Sequence, residues 1–278
     1  MPEVRVTAEQ VQAAHQMYRE GLGLLTESGV AFLVGGAYAH AHYTGIVRFT
    51  KDLDIFVHAG DLDPVLDVFR GAGYRVERSF PHWLAKAHRG DDFVDLIYSS
   101  GNGVARVDEA WFEHGVEAQV LGMPVRLVPP EEMIWSKSFI MERERYDGAD
   151  VAHILRATME TLDWERLLSR FGGYWRVLFT HLVLFGFIYP AERGRVPRQL
   201  METLMERLEQ DLLTPPTPDR VCQGTILSRQ QYLPDIERWG YHDARVSPRG
   251  HLSADDTAAW TAAIDSDKQK SDGGAEKA

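Results

Sequence analysis

At 278 residues the chain is long enough for one large domain or two smaller ones with cores of their own. An apolar share of 44% and a charged share of 26% belong to an ordinary globular protein. The net charge of −11 excludes a protein that grips duplex nucleic acid by phosphate neutralisation alone, although a local basic patch is compatible with that total. The single cysteine, Cys222, excludes an internal disulfide and a cysteine-built zinc site, and suits a reducing cytoplasm.

The N-terminal "MPEVRVTAEQVQ" has no apolar core and is not expected to be a signal peptide. Thr7 is placed to cap a helix over residues 8–27, with Val11, Ala14, Met17, Tyr18, Leu22 and Leu25 on one face and Gly29 closing it. "VAFLV" reads as a buried strand, Ala37 to Tyr43 as a short helix ended by Gly45, and "LDIFV" as a second strand. "LDPVLDVFRGAG" is a helix stopped at Gly71 or Gly73. Three candidate strands follow: "YRVER", "HWLAKAHR" and "DFVDLIYS". "EAWFEHG" is a helical turn, and "VEAQVLGMPVRLV" a hairpin turning at Leu121-Gly122. Strands alternating with helices, then hairpins, imply a small mixed β-sheet with helices on one face, an α/β (α+β) arrangement.

From Pro129 the pattern changes. "PPEEMIWSKSFIMERERY" opens with proline in the first helical turn and Glu131-Glu132 beside the positive end of the helix dipole. Helical patterns continue over 147–160, 163–170, 173–189 and 197–213, and "TPPTP" breaks them. "VLFTHLVLFGFIYP" is too short to span a bilayer and contains His181, so a buried helix is expected and no membrane partner. The final "DSDKQKSDGGAEKA" lacks large apolar residues and is expected to be disordered. No internal repeat is visible. The division is a domain over 1–128, a C-terminal α-helical domain over 129–262, and a disordered tail over 263–278.

Two aspartates inside an aliphatic strand need a reason, because unpaired buried carboxylates are expensive. Side chains alternate along a strand, so Asp52 and Asp54 share one face with Cα atoms roughly 6.5–7 Å apart, while Leu53, Ile55 and Val57 face the core. Like charges so placed repel unless a cation sits between them, and magnesium favours carboxylates together with substrate phosphates. "DFVDLIY" offers a third carboxylate, Asp95. If its strand neighbours that of Asp52, the three acids suffice for a two-metal site. Gly35-Gly36 lie between a strand and a helix start, where backbone approaches a ligand closely and unpaired N–H groups can meet a triphosphate.

In these residues the chain resembles the nucleotidyltransferase superfamily of the DNA polymerase β type, particularly the small bacterial branch of minimal and AbiEii-like nucleotidyltransferases. That branch carries Gly-Gly followed by Arg-x-x-Thr-x-Asp-x-Asp, here Gly35, Gly36, Arg48, Thr50, Asp52 and Asp54. The resemblance covers roughly residues 28–150, including "EEMIWSKSFIMERERYDGADVAHIL" taken as one helix, where Lys137 matches a lysine near the nucleotide. Polymerases and many transferases carry serine where Gly36 stands. The resemblance implies a nucleotidyltransferase core, metal binding and catalysis by Asp52, Asp54 and Asp95, and triphosphate contact at Gly35 and Gly36. Arg48 and Lys137 are further candidates for the nucleotide.

The implied cofactor is Mg2+, two ions, with Mn2+ as an alternative. The implied reaction moves a nucleoside monophosphate from a nucleoside triphosphate to a hydroxyl acceptor and releases pyrophosphate. The acceptor is a small hydroxylated molecule such as an aminoglycoside, a tRNA end or a protein side chain, and the acidic charge disfavours RNA. A rival reading keeps the fold as a non-catalytic nucleotide-binding module, or as a toxin–antitoxin module with an antitoxin or homodimer partner. Lys137 alternatively joins Arg143, Arg145, Asp147 and Asp150 in an ion-pair network on its helix. His242-Asp243 has the look of a phosphohydrolase ligand pair, but no convincing further ligands accompany it. His40, His42, His153 and His181 read as packing or exposed residues. The absence of Gly-x-x-x-x-Gly-Lys-Ser/Thr excludes the usual phosphate-loop ATPases.

Overall fold

The computed structural model describes residues 8–48 and 50–272, so Thr7 and the end of the tail fall outside the described residues. The chain forms two compact units: Met1–Ser99 with Arg106–Pro129, and Ser100–Ala105 with Pro130–Ala278.

In the first unit, α1 (Ala8–Ser28) buries Ala14, Met17, Tyr18, Leu22 and Leu25, the stripe its spacing predicts. Gly29 follows in the left-handed region at φ 72°. The rest of the unit comprises β1 (Leu33–Val34), α2 (Gly36–Thr44), β2 (Asp52–Phe56), α3 (Leu62–Gly71), β3 (Arg75–Phe80), β4 (Leu84–Arg89), β5 (Asp92–Ile97), α4 (Glu109–Glu113), β6 (Val116–Val120) and β7 (Met123–Leu127). The sheet runs β3-β4-β5-β2-β1-β7-β6. It is mixed: β2 lies parallel to β5 and β1 parallel to β7, and the other neighbours are antiparallel.

"VAFLV" contributes only Leu33 and Val34 to the ladder, because the chain turns at Gly35 into α2. Leu121 and Gly122 take φ 52° and 79°, as a two-residue hairpin turn matched to strand twist requires. Leu53 and Ile55 of β2 register with Val94 and Leu96 of β5, and all four are fully buried. This apolar face leaves Asp52, Asp54 and Asp95 to the other side.

The second unit contains α5 (Pro130–Ser138), α6 (Gly148–Thr158), α7 (Trp164–Phe171), α8 (Trp175–Ile188), α9 (Arg198–Leu213), β8 (Val221–Cys222), α10 (Gly224–Leu227), α11 (Leu233–Glu237), β9 (His242–Asp243) and α12 (Ala254–Asp272). The single helix expected over "EEMIWSKSFIMERERYDGADVAHIL" is corrected. α5 stops at Ser138, the chain folds back through a Met141–Tyr146 bridge, and α6 starts at Gly148. A continuous helix would carry Asp147 about 15 Å along the axis from Lys137. The return instead brings Lys137 Nζ to 2.7 Å from Asp147 and 2.9 Å from Asp150, and Arg145 to 2.9 Å from Asp147.

Glu131 and Glu132 do begin α5, but they are buried and paired rather than solvated at a helix end. Arg166 of α7 binds both, and Arg170 reaches Glu132 at 2.8 Å. The stretch Trp164–Ile188 is long and apolar enough to cross a membrane by length and composition alone. A turn at Gly172–Tyr174 divides it, and α8 packs against α5, α6, α7 and α9. α8 buries Leu178, His181, Leu182 and Phe185 and leaves Val183 and Phe187 exposed, so it is half-buried rather than wholly buried. The parallel pair β8–β9 went unforeseen, since strands of two residues carry no readable period. α12 runs through Asp272, into the stretch expected to be a disordered tail.

Candidate active site

The three acids meet through strand register. β2 and β5 are parallel neighbours, and Asp54 stands directly opposite Asp95. Asp52, two residues before Asp54, joins them on the same face, and one carboxylate oxygen from each lies within 4.8 Å of the others. Asp52 and Asp54 are half-buried and Asp95 buried. The Thr50 hydroxyl donates to the Asp52 carboxylate and lies 3.2 Å from its carbonyl oxygen, tying the approach of β2 to its first acid.

The glycines sit against these acids. Gly35 N–H donates to the Asp54 carbonyl at 2.9 Å, and Gly36 starts α2 at φ 54°. A Cβ on Gly36 would stand 1.7 Å from Asp54 Oδ2, and one on Gly35 would stand 2.3 Å from the Phe56 ring. The absence of side chains at 35 and 36 therefore makes room for β2 and for the Asp54 carboxylate itself, a reason the sequence did not show. The first N–H groups of α2 have no intrahelical acceptor, as at any helix start.

Burial, opposed by the Lys86 ammonium and reinforced by the Asp52 charge, pushes the Asp95 carboxyl above the usual carboxylate range. Lys86 was not foreseen. It extends from β4 opposite Asp95, with Nζ 2.5 Å from Asp95 Oδ1. Its sequence signal was a lone lysine between two alanines in an apolar strand, which is weak. Two tyrosines also border the acids. Burial, then the Asp52 charge, pushes the Tyr38 phenol up to about 12. Tyr18 is raised further by burial first and then by Asp92, Tyr38, Asp52 and Asp54. Both phenols stay protonated at neutral pH, and the Tyr18 hydroxyl makes no hydrogen bond among the described residues.

Three carboxylates whose oxygens approach within 4.8 Å form an all-oxygen donor set that fits a hard divalent cation. Of the remaining candidates, Arg48 is exposed on the segment between α2 and β2. Lys137 belongs to the helical unit, where Asp147 and Asp150 hold it. His181 is buried and bonded to the Ser138 carbonyl at 3.0 Å, a packing role. Asp243 accepts a 2.7 Å bond from Arg245, and among the described residues no potential metal cluster includes His242 or Asp243.

Comparison with known proteins bears on what this geometry is for. The NTP_transf_5 family model, described as an uncharacterised nucleotidyltransferase, matches residues 3–177. Among solved structures the chain is similar to the antibiotic-resistance factor ANT(2'')-Ia, at 18% identity and TM-score 0.43, over 61% of this chain and 97% of that one. It is similar to the lincosamide antibiotic adenylyltransferase LnuA in its lincomycin-bound form, at 15% identity and TM-score 0.37, over 54% and 96%. A third likeness is to JHP933 from Helicobacter pylori, at 13% identity and TM-score 0.39, over 75% and 97%. No curated protein matches the chain. The family match stands at the level of nucleotidyltransferase and does not single out the minimal or AbiEii-like branch. Because it takes in more than half of the chain, including Gly35, Gly36 and all three acids, the chain belongs to the NTP_transf_5 nucleotidyltransferase family.

Proposed function

We propose that the protein transfers a nucleoside monophosphate from a nucleoside triphosphate to an acceptor hydroxyl in a metal-dependent reaction. The observation that supports this most is the β2–β5 register, which converges Asp52, Asp54 and Asp95 beside Gly36. The acceptor oxygen bonds to the α-phosphorus, the bond from that phosphorus to its bridging oxygen breaks, and pyrophosphate leaves with the electron pair. The hydroxyl proton passes to solvent or to a neighbouring carboxylate. Asp52, Asp54 and Asp95 would hold two divalent cations, magnesium by preference. Bound there, the cations neutralise triphosphate charge and make the acceptor hydroxyl more acidic.

Gly35, Gly36 and the N–H groups at the start of α2 would seat the triphosphate, with Arg48 and Lys137 as cationic helpers. The acceptor is a small polyhydroxylated molecule of aminoglycoside type, a tRNA end or a protein side chain, and the reaction belongs in the cytoplasm. The test is incubation with magnesium and α-labelled nucleoside triphosphates in cell extract, followed by separation of small molecules, RNA and protein. Label should enter one class with wild-type protein and none with Asp54→Asn, at least about a hundredfold less if several kcal/mol of charge stabilisation are lost. Full transfer by a folded Asp54→Asn protein would remove the assignment.

A further inference from the structure

Lys86 is a cation that the first unit places directly on Asp95 of the acid cluster. It stands on β4 in register with Asp95 of β5, and its Nζ lies 2.5 Å from Asp95 Oδ1. The same ammonium sits 4.0 Å from the centre of the Phe93 ring, whose face attracts a cation. Ala85 and Ala87 on either side are fully buried, so the lysine stem leaves the strand where its neighbours are anchored. Carboxylate and ring together fix the charge on Asp95, which also contributes to the cluster of three acids.

An ammonium held on Asp95 cancels that carboxylate's charge and so lowers its pull on a dication. It also repels any dication a few ångströms away in a partly buried setting, whereas a triphosphate brings negative charge of its own. We propose that Lys86 is a resident counter-ion of Asp95 in the acid cluster: it occupies one Asp95 oxygen in the unliganded protein, weakens binding of divalent cations alone, and so makes cation loading depend on the nucleoside triphosphate. The proposal rests on the reading of Asp52, Asp54 and Asp95 as a metal site.

The experiment measures Mn2+ binding to the full chain by the electron paramagnetic resonance signal of free Mn2+. It uses wild type, Lys86→Met and Lys86→Arg, each without nucleotide and with α,β-methylene triphosphates of the four nucleosides. Wild type and Lys86→Arg should bind Mn2+ weakly alone and at least tenfold more tightly with an analogue. Lys86→Met should bind Mn2+ alone at least tenfold more tightly than wild type, with little added by nucleotide. Its metal-free melting temperature should fall, because buried Asp95 loses its partner. Should Lys86→Met not fold, Lys86→Gln keeps a donor without the charge and should show the same tightening.

A purely structural lysine would lower the melting temperature and leave Mn2+ affinity per folded molecule unchanged; that result overturns the proposal while nucleotide-linked Mn2+ binding leaves the metal site standing. Absence of Mn2+ binding in wild type, even with every analogue, would instead overturn the metal site and the role of Lys86 with it.

Discussion

Gly36 and Asp54 occupy each other's space. A residue with a Cβ held at φ 54° costs about 1–2 kcal/mol in backbone strain. Here the Cβ would also meet Asp54 Oδ2 at 1.7 Å, so the carboxylate must swing away. Gly36→Ala should therefore lower the melting temperature and weaken Mn2+ binding, with nucleotide analogue present, more than tenfold per folded molecule. Mn2+ affinity equal to wild type in the folded variant would show that Asp54 has room to adjust and that the glycine serves only the turn. Sequence reading assigned Gly36 to the triphosphate alone. Its contact with Asp54 was invisible there because the two residues are eighteen positions apart and meet only when β2 pairs with β1.

At the scale of elements, the break between α5 and α6 is held by charge. Burial would raise the Asp147 carboxyl, but the Arg145 hydrogen bond and the Lys137 and Arg145 charges outweigh it and hold the pKa at about 2. A carboxyl depressed in the folded state stabilises fully above its unfolded pKa, near 4, and that stability is lost as pH falls towards 2. The contribution is about 2 kcal/mol. Denaturant unfolding between pH 2 and 6 should show wild type gaining this stability as pH rises and Asp147→Asn lacking the gain. A gap between the two proteins that does not change with pH would mean that Asp147 is not the titrating group. The helical pattern through "SFIMERERYDG" hid this break, since glutamates and arginines suit a helix as well as a charged turn.

At the scale of the whole molecule, a ligand that binds only the folded chain stabilises it by mass action. Mg2+ with a non-hydrolysable triphosphate analogue at a hundred times its dissociation constant should add about 2.7 kcal/mol, read as a rise in melting temperature. Asp52→Asn should abolish that rise while keeping its own metal-free melting temperature at or above that of wild type, because one of three like charges is gone. An unchanged rise in Asp52→Asn would place the nucleotide site elsewhere. The change from strand alternation to helical period at Pro129 gave the expected division, and the structure's two compact units are Met1–Ser99 with Arg106–Pro129 and Ser100–Ala105 with Pro130–Ala278. The short segment Ser100–Ala105 joins the second unit instead of the first, which no local pattern announces.

The sequence by itself determined what depends on neighbours along the chain. Alternation in "DLDIF" put Asp52 and Asp54 on one face, glycines closed α1 and α2, Leu121-Gly122 made the hairpin turn, and "TPPTP" ended α9. Each follows from backbone preference or side-chain period over a few residues. Only the tertiary structure decided which distant strands pair. That pairing set Asp95 opposite Asp54, laid Lys86 on Asp95, and filled the space beside Gly36 with a carboxylate. It also decided that Glu131 and Glu132 are buried against arginines of α7 and that α5 ends where Lys137 can turn to Asp147. Such choices belong to the packed core, because the free energy of burying a charge depends on whether a partner from elsewhere in the chain arrives beside it.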